Sequence, residues 1–156
     1  FPHLTVAEIV GLGLRSDLRL AAADHARVAE ALRRVGLEGA ADRRPGALSG
    51  GQASRVALAR ALVRARPVVC MDEPFSALGP ALKDEMLDLV TELLSDALVL
   101  MVTHDPEDAL RFAPKTVVVA GGRADGPHAT AALFADPPDV LRAYFGRRRW
   151  GLPQTE

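Results

Sequence analysis

Several things are scarce in these 156 residues, and each scarcity excludes something. Cys70 is the single cysteine, so no disulfide can form within the chain, and this suits a reducing compartment. The formal net charge is -1, which leaves out the basic footprint of a nucleic-acid binder. No apolar run approaches the ~20 residues that a membrane-spanning helix needs, and no secretory leader pattern is visible. Lys83 and Lys115 are the only lysines; the other basic residues are arginines. Neither lysine follows a glycine, so the phosphate-cradling pattern G-x-x-x-x-G-K-[ST] does not occur. There is no internal repeat and no low-complexity linker. The length fits about one domain, at roughly 100–200 residues each.

What is there centres on Leu48 to Glu73. Ser49 followed three residues later by Gln52 is a capping-box pattern, which satisfies orphan amides at a helix start. Gly50 and Gly51 leave that start bare, so another molecule can come close to backbone N–H groups at the positive end of the helix dipole. The predicted helix carries Val56, Ala59, Leu62 and Val63 on one face and Arg55, Arg60 and Arg64 on the other, and Pro67 stops it. Val68 to Met71 reads as a strand covered on both faces, with Cys70 as one of its core residues. Asp72 and Glu73 close it at the C-terminal end, where open α/β sheets place their ligands. An anion site, a carboxylate suited to Mg²⁺ and a candidate base therefore lie close together in sequence.

The rest of the chain alternates helix and strand signals. Thr5 caps a short helix through Val6, Ile9 and Val10. Asp24 is positioned to cap a second, with Val28, Ala31, Leu32 and Val35 on one face and Gly36 just past its end; Arg27, Glu30, Arg33 and Arg34 take the solvated side. Pro80 or Ala81 starts a helix with Leu82, Met86, Leu89, Val90 and Leu93 inward. Ala97 to Val102 reads as a second buried strand, ending at Thr103-His104. Asp105-Pro106 is a strong helix start. Thr116 to Ala120 is a third strand, turned at Gly121-Gly122 into a return strand from Arg123 to Gly126. Helical patterns over 130–135 and 138–145 follow, then a basic tail, Arg147 to Trp150, expected at the surface. His3, His25 and His128 show no metal-ligand spacing with Cys70.

Taken in order, four of these segments resemble the motifs of ABC-type ATPases, and the resemblance covers nearly the whole chain. Leu48-Ser49-Gly50-Gly51-Gln52 is similar to the signature motif. Val68 to Asp72 with Glu73 is similar to the Walker B strand and its glutamate, Ser76-Ala77-Leu78-Gly79 to the D-loop, and Met101-Val102-Thr103-His104 to the strand before the switch histidine. Within the family, His3-Leu4-Thr5-Val6, Gly11-Leu12-Gly13-Leu14 and Phe75-Ser76-Ala77-Leu78 with Pro80-Ala81-Leu82 resemble ATPase subunits of bacterial thiamine importers.

The resemblance implies an α/β fold, a mainly parallel sheet flanked by helices, as in P-loop NTPases. Residues 1–45 would form a helical subdomain, 46–126 the signature, Walker B and switch core, and 127–156 C-terminal helices. It implies an ATPase subunit coupling hydrolysis to solute uptake. Ser49, Gly50, Gly51 and Gln52 would bind ATP held by the opposite subunit. Asp72 would ligate Mg²⁺ through water. Glu73 would be the general base, and His104 would hold the γ-phosphate and the attacking water. The implied partners are a second ATPase subunit in a head-to-tail homodimer, transmembrane permeases and an external binding protein, with no nucleic acid. The implied location is the cytoplasmic face of the bacterial inner membrane. With Phe1 rather than Met at its start and no P-loop, the chain is expected to be the C-terminal part of a longer ATPase, inactive and a poor ATP binder alone. The rival readings are a binding subunit that has lost its P-loop, and a non-transport ABC ATPase.

Three positions depart from the family pattern. Ala53 and Ser54 stand where Arg and Gln are frequent. Gly79 stands where the D-loop usually carries Asp, and the loss of that carboxylate is expected to free the backbone and weaken cross-talk between the two ATP sites.

Overall fold

The computed structural model describes residues 1–145, and the basic run Arg147 to Trp150 lies outside the described residues. The chain divides into two compact units, one spanning Phe1–Val102 and one beginning at Thr103.

The first unit opens with α1 (Val6–Gly11) and α2 (Ala22–Arg34). Thr5 caps α1 as expected: its Oγ1 accepts from the Glu8 amide at 3.2 Å, and the Thr5 amide donates to Glu8 Oε2 at 2.7 Å. That backbone hydrogen bond holds the Glu8 carboxyl below its usual range. The start of α2 differs from expectation. Its N-cap is Ala21, and Asp24 sits one turn in, where Oδ2 accepts from the Ala21 amide at 3.1 Å. Alanine offers no oxygen to the first amides, so only the reach-back half of a capping box is available. At the other end Gly36 takes a left-handed φ of +69°. The Leu37 amide donates to Leu32 O at 2.8 Å and the Gly36 amide to Arg33 O at 2.9 Å, which is the Schellman closure.

Helix α3 (Gly50–Arg64) packs with both α1 and α2. It buries Val56, Ala59 and Val63 as predicted, and Leu58 besides. Arg55 does not belong to a solvated face. Its Nη1 donates to Val35 O at 2.8 Å and its Nη2 pairs with Glu85 of α4 (Pro80–Leu93), joining three helices. Arg27 likewise donates from Nη2 to Val63 O at 2.8 Å, at the C-terminal end of α3. Both arginines answer carbonyls that a helix end leaves without an intrahelical donor.

The residue that caps the end of this helix gives a direct stability test. Ala65 is its C-cap in left-handed geometry, φ 47° and ψ 47°, a conformation whose Cβ clash costs about 1–2 kcal/mol in a non-glycine residue. Ala65→Gly should therefore raise the unfolding free energy by about 0.5–1 kcal/mol, the relief exceeding the extra freedom glycine gives the unfolded chain. A rightward shift of the urea midpoint at constant slope is the expected reading. A leftward shift would show that the backbone there is not strained.

Strands β1 (Val68–Asp72) and β2 (Leu98–Val102) pair in parallel, in register from Val68 with Leu98 to Asp72 with Val102. The expectation that both are covered on two faces is overturned. Exposure alternates along each, and Leu98, Leu100 and Val102 are more than half exposed. Cys70, expected in the core, is exposed on the same alternation. Apolar character on every residue is what a two-sided strand requires. This sheet has two strands among the described residues, and one of its faces is left open.

The second unit contains α5 (Pro106–Phe112), the hairpin β3 (Lys115–Ala120) and β4 (Arg123–Ala129), α6 (Thr130–Ala135) and α7 (Asp139–Phe145). Gly121 and Gly122 turn the hairpin with φ of 56° and 73°, the left-handed pair that a two-residue turn demands. The return strand runs three residues past the expected Gly126, with an irregularity in register between Thr116 and Val118. Thus the described residues hold one parallel and one antiparallel pair. Val118, Leu133 and Phe134 form the core of this unit, with Ala109, Leu110 and Leu141 packed against it.

Candidate functional site

The tip of α3 is built as its sequence requires. Ser49, at the N-cap with extended geometry, accepts from the Gln52 amide through Oγ at 3.3 Å. Gln52 Oε1 accepts from the Ser49 amide at 3.1 Å. Ser49 and Gly50 are exposed, Gln52 is half-buried and Gly51 is buried. The two glycines therefore do different work. A Cβ on Gly50 would meet Leu78 Cδ2 at an ordinary 3.7 Å, which puts the helix tip beside the Ser76–Gly79 loop. A Cβ on Gly51 would lie 2.6 Å from Leu82 Cδ2, so its bareness lets α4 pack closely. Gly50 is the glycine that leaves the tip open to an incoming molecule.

Asp72 is exposed at the C-terminal end of β1. Glu73, half-buried, follows it with φ +46°, a left-handed conformation rare outside glycine and asparagine. Its amide donates to Val102 O at 2.9 Å, which bridges the ends of the two parallel strands. The Ser76 hydroxyl donates in turn to Glu73 O at 3.1 Å. Backbone held in a sparsely populated region by its surroundings is a mark of sites where direction matters more than relaxed geometry.

Gly79 is extended, φ -69° and ψ 160°, at the N-cap of α4, and no atom lies within 4 Å of a Cβ built on it. Any residue adopts that geometry, so the conformation at this position does not itself require glycine.

In the second unit His104 is exposed at the entry to α5. Around it, Asp105 Oδ1 accepts from the Glu107 amide at 3.0 Å, capping α5 as predicted. The Asp105 amide donates to Thr103 Oγ1 at 3.0 Å, and the Thr103 hydroxyl donates to Oδ2 of buried Asp108 at 2.7 Å. Tyr144 of α7 donates its phenolic O–H to His104 O at 3.0 Å. Sequence reasoning missed Arg55, Arg27, Asp108 and Tyr144. A single arginine or tyrosine on an amphipathic helix carries no local signal of a partner 20 to 40 residues away.

Among the described residues, no group of three or more His, Cys, Asp and Glu side chains converges on a metal-sized site. A hard cation held by one carboxylate, waters and nucleotide phosphates needs no such cluster, and an exposed strand-end Asp72 fits that donor set.

In chain order, a capped, glycine-bare helix tip, a parallel strand ending in two acids and a histidine after the next strand follow the pattern of ABC-class ATP-binding domains, and the chain's similarity lies with the ABC transporter family. A family profile described as ABC transporter matches residues 1–76. Among individual proteins, the chain is similar to the thiamine import ATP-binding protein ThiQ of Cereibacter sphaeroides, 66% identical over 148 residues, which are 94% of this chain and 64% of that one. The ThiQ of a Ruegeria species is 51% identical over 148 residues, with the same shares. The chain thus spans 64% of the length of these relatives. The fold matches a solved inward-facing conformation of a metal-chelate type ABC transporter with a TM-score of 0.81, at 26% identity, over 93% of this chain and 59% of that one. The α/β fold of ABC ATPases is therefore established, with the helical elements of residues 1–45 packed against α3.

Proposed function

We propose that this chain serves in the ATP-binding subunit of a bacterial ABC importer, where ATP hydrolysis drives solute uptake, and that the solute is thiamine, as the names of its relatives suggest. The observation that carries the reading is the exposed, side-chain-capped tip of α3, which offers backbone donors at a helix start next to the Ser76–Gly79 loop.

In this reading Ser49, Gly50 and Gln52 bind the γ-phosphate of a nucleotide held by a second copy of the subunit, while buried Gly51 keeps α4 close behind the tip, so that the working form is a head-to-tail dimer. Each nucleotide is then held by a P-loop, a pattern that these 156 residues do not contain. Asp72 holds Mg²⁺ through water, and the ion, when bound, neutralises charge on the phosphates. Glu73 accepts the proton of the attacking water at its carboxylate. His104 donates a hydrogen bond to the γ-phosphate and holds that water in line. Permease subunits dock on the helical region before α3, which places the protein on the cytoplasmic face of the membrane. No helix among the described residues is long and apolar enough to cross a membrane.

Substituting the tip tests the reading. In the complete subunit, Ser49→Arg should lower ATP hydrolysis by about 10²–10³-fold, the usual cost of losing preorganised donors at a transition state. ATP affinity by calorimetry should be nearly unchanged, because Ser49 serves the neighbour's nucleotide. Ser49→Thr, which preserves the cap, should retain most of the rate. Hydrolysis by Ser49→Arg at the parent rate would overturn the assignment.

A further inference from the structure

The peptide unit between His104 and Asp105 is gripped at both of its polar atoms. Its N–H, on Asp105, donates to Thr103 Oγ1 at 3.0 Å; its C=O, on His104, accepts from the Tyr144 hydroxyl at 3.0 Å. Thr103 is itself held, since its hydroxyl donates to Asp108, a carboxylate with 6% of its surface exposed. Tyr144 is held through its helix. Leu141, one turn earlier on α7, packs against Val118, Leu133 and Phe134. Arg142 ties the start of α7 to the preceding turn, with Nε donating to Pro137 O at 2.5 Å and Nη2 to Asp136 Oδ1 at 2.6 Å. The same core receives Ala109 and Leu110 of α5, the helix that His104 leads into.

We propose that Tyr144 is a positioning residue for His104: its hydroxyl fixes the His104–Asp105 peptide plane, and through the backbone of residue 104 the direction of the exposed imidazole. The proposal rests on the reading of His104 as the group that meets the γ-phosphate. A peptide plane held at one atom can swing about the other bond. Held at both, it sets ψ of His104 and φ of Asp105 together, and the side chain leaves Cα in one direction. Tyr144 is 62% exposed, so its hydroxyl adds little to overall stability while deciding local geometry.

Tyr144→Phe removes the hydroxyl and keeps the ring. In this chain, the Asp105 amide should exchange with solvent several-fold faster by residue-resolved NMR, while amides of β3 and α6 keep their parent rates. In the complete subunit, kcat should fall by roughly two- to ten-fold, the range of one hydrogen bond, with the KM for ATP unchanged. In a His104→Ala background the same substitution should have no further effect, because residues acting through one group are not additive. Unchanged exchange at Asp105 would overturn the proposal. So would faster exchange with an undiminished kcat, provided His104→Ala is impaired. If neither His104→Ala nor Tyr144→Phe lowers kcat while exchange at Asp105 rises, the clamp stands and the role of His104 is what fails.

Discussion

Replacing Glu73 by glutamine in the complete subunit is expected to lower steady-state ATP hydrolysis by about 10²–10⁴-fold, the contribution typical of a positioned general base, or roughly 3–5 kcal/mol of barrier. ATP binding should persist. Glutamine has the shape of glutamate, so the contacts that shape this position can remain: the residue 73 amide to Val102 O at 2.9 Å, and the Ser76 hydroxyl to Glu73 O at 3.1 Å. What disappears is the carboxylate's capacity to take a proton from water. The left-handed backbone at this residue, φ +46°, costs on the order of 1–2 kcal/mol in a side-chain-bearing residue. That strain is maintained by hydrogen bonds at both its amide and its carbonyl, which argues that the direction of this side chain is what the local structure secures. Phosphate release measured under saturating nucleotide checks the rate, and retained nucleotide on the purified variant checks the binding. Turnover near the parent value would sink the role of Glu73 and leave the fold assignment untouched.

Leu32→Ala should destabilise the first unit by about 2–5 kcal/mol, the range for removing a fully buried leucine and leaving a cavity. Leu32 is 1% exposed. Its carbonyl also closes the Schellman turn by accepting from the Leu37 amide, and Leu37 is itself 5% exposed. The substitution thus loosens both the α2 face that packs on α3 and the turn that delivers the chain to α3. Denaturant unfolding should show a lower midpoint at the same slope, since the compactness of the unfolded chain does not change. A loss below about 1 kcal/mol would mean that the site collapses around the missing atoms and that α2 is a weaker support for α3 than its burial implies.

Much of the candidate site was legible along the chain because its elements are local. Ser49 with Gln52, Thr5 with Glu8, and Asp105 before Pro106 each satisfy amides within one helical turn, so three or four residues suffice to specify them. Val28, Ala31, Leu32 and Val35 share one face by helical period alone, and all four are buried. Gly36 and the Gly121-Gly122 pair sit where left-handed backbone is needed. The order of the acid pair and the histidine after apolar runs likewise needed no knowledge of the third dimension.

Other features were beyond reach for one reason: they depend on which distant segments meet. Whether an all-apolar strand is covered on two faces depends on what lies above and below it, and β1 and β2 keep Cys70, Leu98 and Leu100 exposed despite their composition. Arg55 became a tie between three helices when α2 and α4 arrived at its guanidinium, and Gly51 became a packing contact when Leu82 did. Ser49, Gly50, Asp72, Glu73 and His104 were set by short-range chemistry as candidates. The strained backbone of Glu73 and the grip of Tyr144 on His104 came only from folding. Hydrogen bonds within a turn are dictated by neighbours in sequence; the direction of a side chain held from 40 residues away is dictated by packing.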